Sequence, residues 1–210
     1  MRVEVRGATL GFGKRIVFED LDADFPHGKV TALVGPSGSG KSSLLAAMAG
    51  YIKLRAGTIS GVAADQRTPL DASMVAWVPQ GSNALGGRSS LENVMIGALA
   101  DGAQWNEARD DALSALAQVE MIDLANKSAR SLSGGELQRV NFARALATRK
   151  PLVFADEPSA SLDAVNTRRV AELLFSLRSR ATIIVATHDP LLVEAAEHQV
   201  NLRQEFSHAA

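Results

Sequence analysis

Three short segments carry residues whose types and spacing suit chemistry on phosphate. The first, Gly35-Pro36-Ser37-Gly38-Ser39-Gly40-Lys41-Ser42 with Ser43 after it, fits the pattern Gly-x-x-x-x-Gly-Lys-Ser/Thr. Glycines let backbone N–H groups curl around an anion with no Cβ in the way. The helix that must begin here adds its partial positive charge. Lys41 then suits the outer phosphates of a nucleotide, and the Ser42 hydroxyl suits a magnesium ion. Alone, this loop does not separate a kinase from a GTPase or an ATPase.

The second segment is Leu152-Val153-Phe154-Ala155-Asp156-Glu157, four apolar residues that end in two carboxylates. Strand alternation directs Asp156 and Glu157 to different sides. Asp156 suits Mg²⁺ held through water. Glu157 suits orienting or deprotonating an attacking water. In isolation such a pair is a solvated strand end; beside a phosphate loop the catalytic reading prevails.

The third segment is Leu132-Ser133-Gly134-Gly135-Glu136. Ser133 and Glu136 have the spacing of a helix capping box. That does not explain the two glycines, which cost about 1 kcal/mol each in a first helical turn. Close backbone approach to something outside the helix would explain them. A helix N-terminus attracts an anion, so the segment reads as a second phosphate-facing surface.

Elements that can position these segments are legible around them. Leu21, Ala23 and Phe25 alternate with acidic residues, as in a half-exposed antiparallel strand. Val30 to Val34, Leu152 to Ala155 and Thr182 to Ala186 are short apolar runs of the buried-strand type, and Val75 to Val78 is a further strand stopped by Pro79. Ser43 to Met48 reads as a helix ending at Gly50, and Val165 to Arg178 as another. From about residue 90 to 148 the pattern is helical, with Leu113, Leu116 and Val119 on one face and Leu137, Val140, Ala143 and Ala147 on another. Gly35, Gln80, Asp156 and His188 each closely follow an apolar strand. In a parallel sheet the carboxyl ends of the strands hold the ligand, so these four residues converge on one rim.

The bulk numbers leave room for this reading. A chain of 210 residues suits one domain and can bury roughly 70% of its unfolded surface without staples. It is 46% hydrophobic and 21% charged, which excludes bulk disorder. Its 22 basic and 23 acidic residues leave a net charge of −1, which argues against nucleic acid as a partner held by bulk charge. It has no cysteine, so disulfide scaffolds and thiolate chemistry are excluded. Charges in Met1 to Arg6 do not suit a signal peptide, and no apolar run is long enough to span a membrane. A cytosolic protein is the expectation.

Taken together and in order, these segments resemble the ATP-binding cassette ATPases, the nucleotide-binding subunits of ABC transporters. The resemblance runs from about Phe12 to His188. It implies an α/β fold: a P-loop NTPase core with a mainly parallel sheet, an N-terminal antiparallel β part and a helical insert. It implies one domain over 1–210, with a nucleotide-binding core at about 1–80 and 149–210 and a helical subdomain at about 81–148. It implies ATP and Mg²⁺, with Ser42, Asp156 and Gln80 toward the metal and Phe12 stacked on adenine. Leu132 to Glu136 becomes the family's signature motif, Ser161-Leu162-Asp163 its D-loop, and His188 a γ-phosphate contact.

The same resemblance implies partners. Two copies would sandwich two ATP molecules head to tail, the signature of each closing on ATP held by the other. Gln80 to Met95, including Asn83, Leu85 and Val94, would pass closure to transmembrane permease subunits on separate chains, at the cytoplasmic face of the cell membrane. The Leu-Ser-Gly-Gly-Glu and Ala-Asp-Glu-Pro segments resemble the lipoprotein-release, macrolide-export and haem-export cassettes. The alternative is a cassette that signals through a membrane partner, as in the cell-division type.

Overall fold

The computed structural model describes residues 1–160 and 162–202. In chain order, β1 (Arg2–Phe12) and β2 (Arg15–Phe25) lead to β3 (Val30–Val34) and α1 (Lys41–Met48). β4 (Ala56–Ala63), β5 (Gln66–Pro69) and β6 (Val75–Val78) follow. Three helices come next: α2 (Ser90–Ala100), α3 (Trp105–Gln118) and α4 (Gly134–Ala147). The chain closes with β7 (Leu152–Asp156), α5 (Ala164–Leu177), β8 (Thr182–Ala186), α6 (Pro190–Ala195) and β9 (His198–Asn201).

These strands make two sheets. β2-β1-β4-β5 is antiparallel, and β6-β7-β8-β3-β9 is parallel. The parallel sheet is the middle layer, covered on both faces, which is why its strands read as unbroken apolar runs rather than alternating ones. Val153 and Ala155 of β7, with Ile183 and Val185 of β8, pack into a core shared with α2 to α5. The residues between them, Leu152, Phe154 and Ile184, pack on the other face against α1 and the antiparallel sheet. Phe154 is fully buried there and meets Trp77 edge-on, with ring centroids 6.4 Å apart. Burying a side chain of that size stabilises the fold by roughly 1.5–3 kcal/mol. The helical layer uses small residues instead: Ala108, Ala112 and Ala115 line the buried face of α3 and let it pack closely.

Candidate active site

β3, β6, β7 and β8 are neighbours, and their carboxyl ends deliver the phosphate loop, Gln80, Asp156-Glu157 and His188 to one rim. A cavity of about 690 Å³ opens there. Gly35, Pro36, Ser37, Gly38, Gly40, Lys41, Ser42 and Ser43 form its floor, with Gln80, Glu157 and His188 on its sides. Phe12, half exposed at the end of β1, forms a further wall. Arg15 and Val17 stand beside it, two residues that the sequence reading missed. Their signal is the period of β2, which puts positions 15 and 17 on one face.

The loop's shape follows from its packing. Gly40 has φ +98°, and a Cβ there would lie 2.4 Å from Val17 Cγ1, so both backbone and space demand glycine. Gly40 is also the N-cap of α1 and supplies no side-chain acceptor, whereas α2, α4, α5 and α6 are each capped by a serine or aspartate. The first-turn donors of α1 are therefore left for an anion. Ser39 departs from expectation. It is buried, a Cβ on Gly35 would come within 2.7 Å of its Oγ, and it does not line the cavity. Lys41 is buried as well, its Nζ donating to Gly35 O at 2.9 Å and to Pro36 O at 3.2 Å. That ammonium is also 3.9 Å from Glu157 Oε1.

Both carboxylates serve this loop. Ser42 Oγ donates to Asp156 Oδ1 at 2.8 Å. Burial pushes the Asp156 carboxyl above the usual carboxylate range and Glu157 adds to the rise, while Ser42 and Lys41 oppose it. Simple alternation fails at the next residue. Glu157 has φ +44° and has left the strand conformation, so its carboxyl turns to Lys41 and His188 rather than to the opposite side. Its N–H stays tied to the sheet by donating to Ala186 O at 2.8 Å. His188 Nδ1 is 2.9 Å from Glu157 Oε2. A hydroxyl and a carboxylate in contact beside a phosphate cradle are the hard oxygen donors Mg²⁺ takes when water and phosphate complete its shell, so the residues fit that ion.

The signature segment and Asp163 are not in this cavity. Ser133 caps α4 as read: Glu136 N–H donates to Ser133 Oγ at 3.3 Å, and Ser133 N–H donates to Glu136 Oε2 at 2.7 Å. That bond from Ser133 is the main cause holding the Glu136 carboxyl below its usual range. Gly134 is exposed, and a Cβ on it would meet nothing within 4 Å. Asp163 caps α5, accepting from Asn166 N–H at 2.8 Å. Ser161 lies outside the described residues.

α4 also grips the segment after Gln80. Asn141 Nδ2 donates to Gly81 O at 2.9 Å, Arg144 Nη1 to Asn83 Oδ1 at 2.7 Å, and Arg144 Nε to Asn93 O at 2.9 Å. Neither Asn141 nor Arg144 was read from the sequence. Their signal was a buried polar residue, and a cation one turn on, in an otherwise apolar helix face.

The family model described as ABC transporter matches residues 18–160. The chain is 34% identical over 209 residues to the lipoprotein-releasing system ATP-binding protein LolD of Bacteroides thetaiotaomicron, covering 95% of this chain and 96% of that protein. It is 37% identical over 213 residues to the phosphonates import ATP-binding protein PhnC 2 of Rhodopseudomonas palustris, covering 94% of this chain and 74% of that protein. Among solved structures, a dimeric post-hydrolysis state of the ATP-binding cassette MJ0796 bound to ADP and Pi superposes with a TM-score of 0.81 at 28% identity, covering 96% of this chain and 94% of that one. No helix among the described residues is long and apolar enough to cross a membrane. With a phosphate loop, an acidic strand end and a capped double-glycine helix on one α/β frame, the chain belongs to the ABC transporter family as an ATP-binding subunit and ATPase.

Proposed function

We propose that this chain hydrolyses ATP to drive separate membrane permease subunits of an exporter, of the lipoprotein-release, macrolide-export or haem-export type. One observation carries the catalytic part: Lys41, Ser42, Asp156, Glu157 and His188 are knit together at one rim, with Glu157 between Lys41 and His188. Lys41 neutralises the outer phosphates. Ser42 and Asp156, with Gln80, would hold Mg²⁺, which would supply charge stabilisation of the phosphate oxygens. Glu157 takes the proton of the attacking water, and His188 keeps that carboxylate in place while facing the γ-phosphate. Phe12 stacks on adenine.

The exposed Gly134 at the start of α4 supports a two-copy reading. Ser133, Gly134, Gly135 and Glu136, with Asp163, face ATP held by a second copy in a head-to-tail dimer. Asn141 and Arg144 then link the signature helix to the Gln80 segment, and that segment passes closure to the permease at the cytoplasmic face of the membrane. The resemblance of Leu132–Glu136 and Ala155–Pro158 to the release-type and export cassettes, with the 34% identity to a lipoprotein-releasing ATP-binding protein, supports the exporter assignment.

The test is capture of the chain with its partner from detergent-solubilised membranes, followed by reconstitution in vesicles. A permease that raises ATPase turnover and moves cargo away from the ATPase side is expected. Cargo moving toward that side, or a partner that regulates a cell-wall hydrolase and moves none, would contradict it.

A further inference from the structure

The two outward-facing elements of this chain, the glycine end of α4 and the turn before α5, meet through one side chain. Asn166 lies in the first turn of α5, half-buried in a groove it shares with Gly135, Arg139 and Leu162. Its Nδ2 donates to Asp163 Oδ1 at 3.0 Å, and its backbone N–H donates to the same oxygen at 2.8 Å. A carboxylate only accepts, so the amide nitrogen must face Asp163 and the amide oxygen must turn away from it. The amide packs against α4: a Cβ on Gly135 would lie 3.3 Å from Asn166 Oδ1, 3.4 Å from its Cγ and 3.6 Å from its Nδ2. Gly135 has ordinary helical backbone, so no left-handed φ demands glycine there. What its missing side chain leaves room for, inside the chain, is Asn166.

The other end of this contact leads back to the active site. Ala160 N–H donates to Glu157 O at 3.0 Å and Leu162 N–H to Ser159 O at 2.9 Å. These contacts tie Ala160 to Glu157 and Leu162 to Ser159, and Asp163, next to Leu162, leads on to Asn166 and Gly135. We infer that Asn166 is a positioning residue that gears the signature end of α4 to the chain's own Glu157. The inference rests on the two-copy reading above. Under it, Glu157 serves the ATP a chain holds, while Gly135 faces the ATP its partner holds. Asn166 then couples the two nucleotide sites of the dimer within each chain.

The experiment is a size-complementation cycle with Gly135→Ala, Asn166→Ala and the double variant, reading kcat, KM, the Hill coefficient for ATP and thermal stability. Gly135→Ala puts a methyl against the amide. It is expected to lower kcat by about tenfold, since contacting residues couple strongly. Asn166→Ala is expected to lower kcat and flatten ATP cooperativity with KM nearly unchanged. The double variant should be no worse than Asn166→Ala, because the methyl then has room. Asn166→Asp keeps the size but sets a carboxylate against Asp163, and should fall at least as low as Asn166→Ala. Independent, multiplying losses in the double variant would overturn the inference. So would an Asn166→Ala chain that loses thermal stability yet keeps wild-type kcat and Hill coefficient.

The same variants placed on Glu157→Gln separate the two levels of the argument. If Glu157→Gln alone does not pair on adding ATP, the two-copy reading fails. If it pairs while the cycle is additive, only the role of Asn166 fails.

Discussion

Two helices in this molecule begin in glycine and are read as facing phosphate, and they are built in opposite ways. α1 starts at Gly40 with no side-chain cap, where a Cβ would lie 2.4 Å from Val17 Cγ1, and beside a buried Lys41. α4 starts with a complete capping box, and its Gly134 faces open space. Capping stabilises a helix by about 1 kcal/mol, so the start of α4 is satisfied by its own side chains, where the start of α1 leans on the loop and sheet around it. The glycines of α1 are thus required by the chain's own packing. In α4, Gly134 leaves a bare surface that the chain does not cover, while Gly135 backs onto Asn166. The first region is a complete cradle, and the second is half of one.

Removing chemistry from the complete cradle should have the largest effect. Glu157→Gln keeps the size and the neighbours of the side chain but removes the base. Turnover should fall by about 10²–10⁴-fold with ATP binding retained, read by phosphate release and nucleotide titration. Lys41→Ala should act earlier, on binding itself; unchanged ATP affinity would remove Lys41 from the phosphate site.

Changing the half-cradle should spare the fold and strike assembly. Gly134→Asp adds a carboxylate where nothing inside the chain is displaced, so stability should stay within about 0.5 kcal/mol, measured by urea titration. ATP binding by a single chain should persist, while ATP-driven pairing in sedimentation and hydrolysis should both be lost. Gly135→Asp is a blunter tool, because it also strikes Asn166.

Phe12→Ala should be milder. Half-exposed stacking contributes about 1 kcal/mol, so ATP should bind roughly fivefold more weakly with kcat kept. A loss of kcat instead would place Phe12 in the fold rather than against the base.

The smallest effect on function should come from Glu4, far from both helix ends. Hydrogen bonds from Arg67 foremost, and from Arg2, hold its carboxyl below the usual range. A lowered folded value means the stabilisation is full above the ordinary glutamate range and is lost as pH falls through the lowered value. Glu4→Gln should lower the melting temperature at neutral pH, with the gap to wild type closing on acidification and ATP-driven pairing unaffected. A gap that is constant with pH would mean that the charge is not what matters.

The sequence made the cradle legible because each of its parts has a local cause. Apolar runs mark strands covered on both faces, and the loop pattern follows directly from anion geometry. Less was legible where the cause is distant. In β1 the buried apolar positions are Val3 and Val5, then Ala8 and Leu10, so the alternation slips at Gly7, where φ is +55° and the register shifts. β4 and β9 are short in apolar side chains and take their conformation from pairing with β1 and β3. Asp156 and Glu157 violate alternation because Glu157 leaves the strand. Asn141 and Arg144 bind across the fold to Gly81, Asn83 and Asn93, partners that no spacing within the sequence names.

The central claim is that the two glycine-bearing faces of one chain belong to two different nucleotide sites. Mixing Glu157→Gln and Gly134→Asp chains tests it most directly. In a mixed dimer, one ATP is held by the chain with intact Glu157 and faces the intact signature of the other. Each variant alone should be inactive, and mixing should restore hydrolysis through that single live site. Two variants that stay inactive on mixing, or a Gly134→Asp chain that hydrolyses ATP alone at the wild-type rate, would contradict the account.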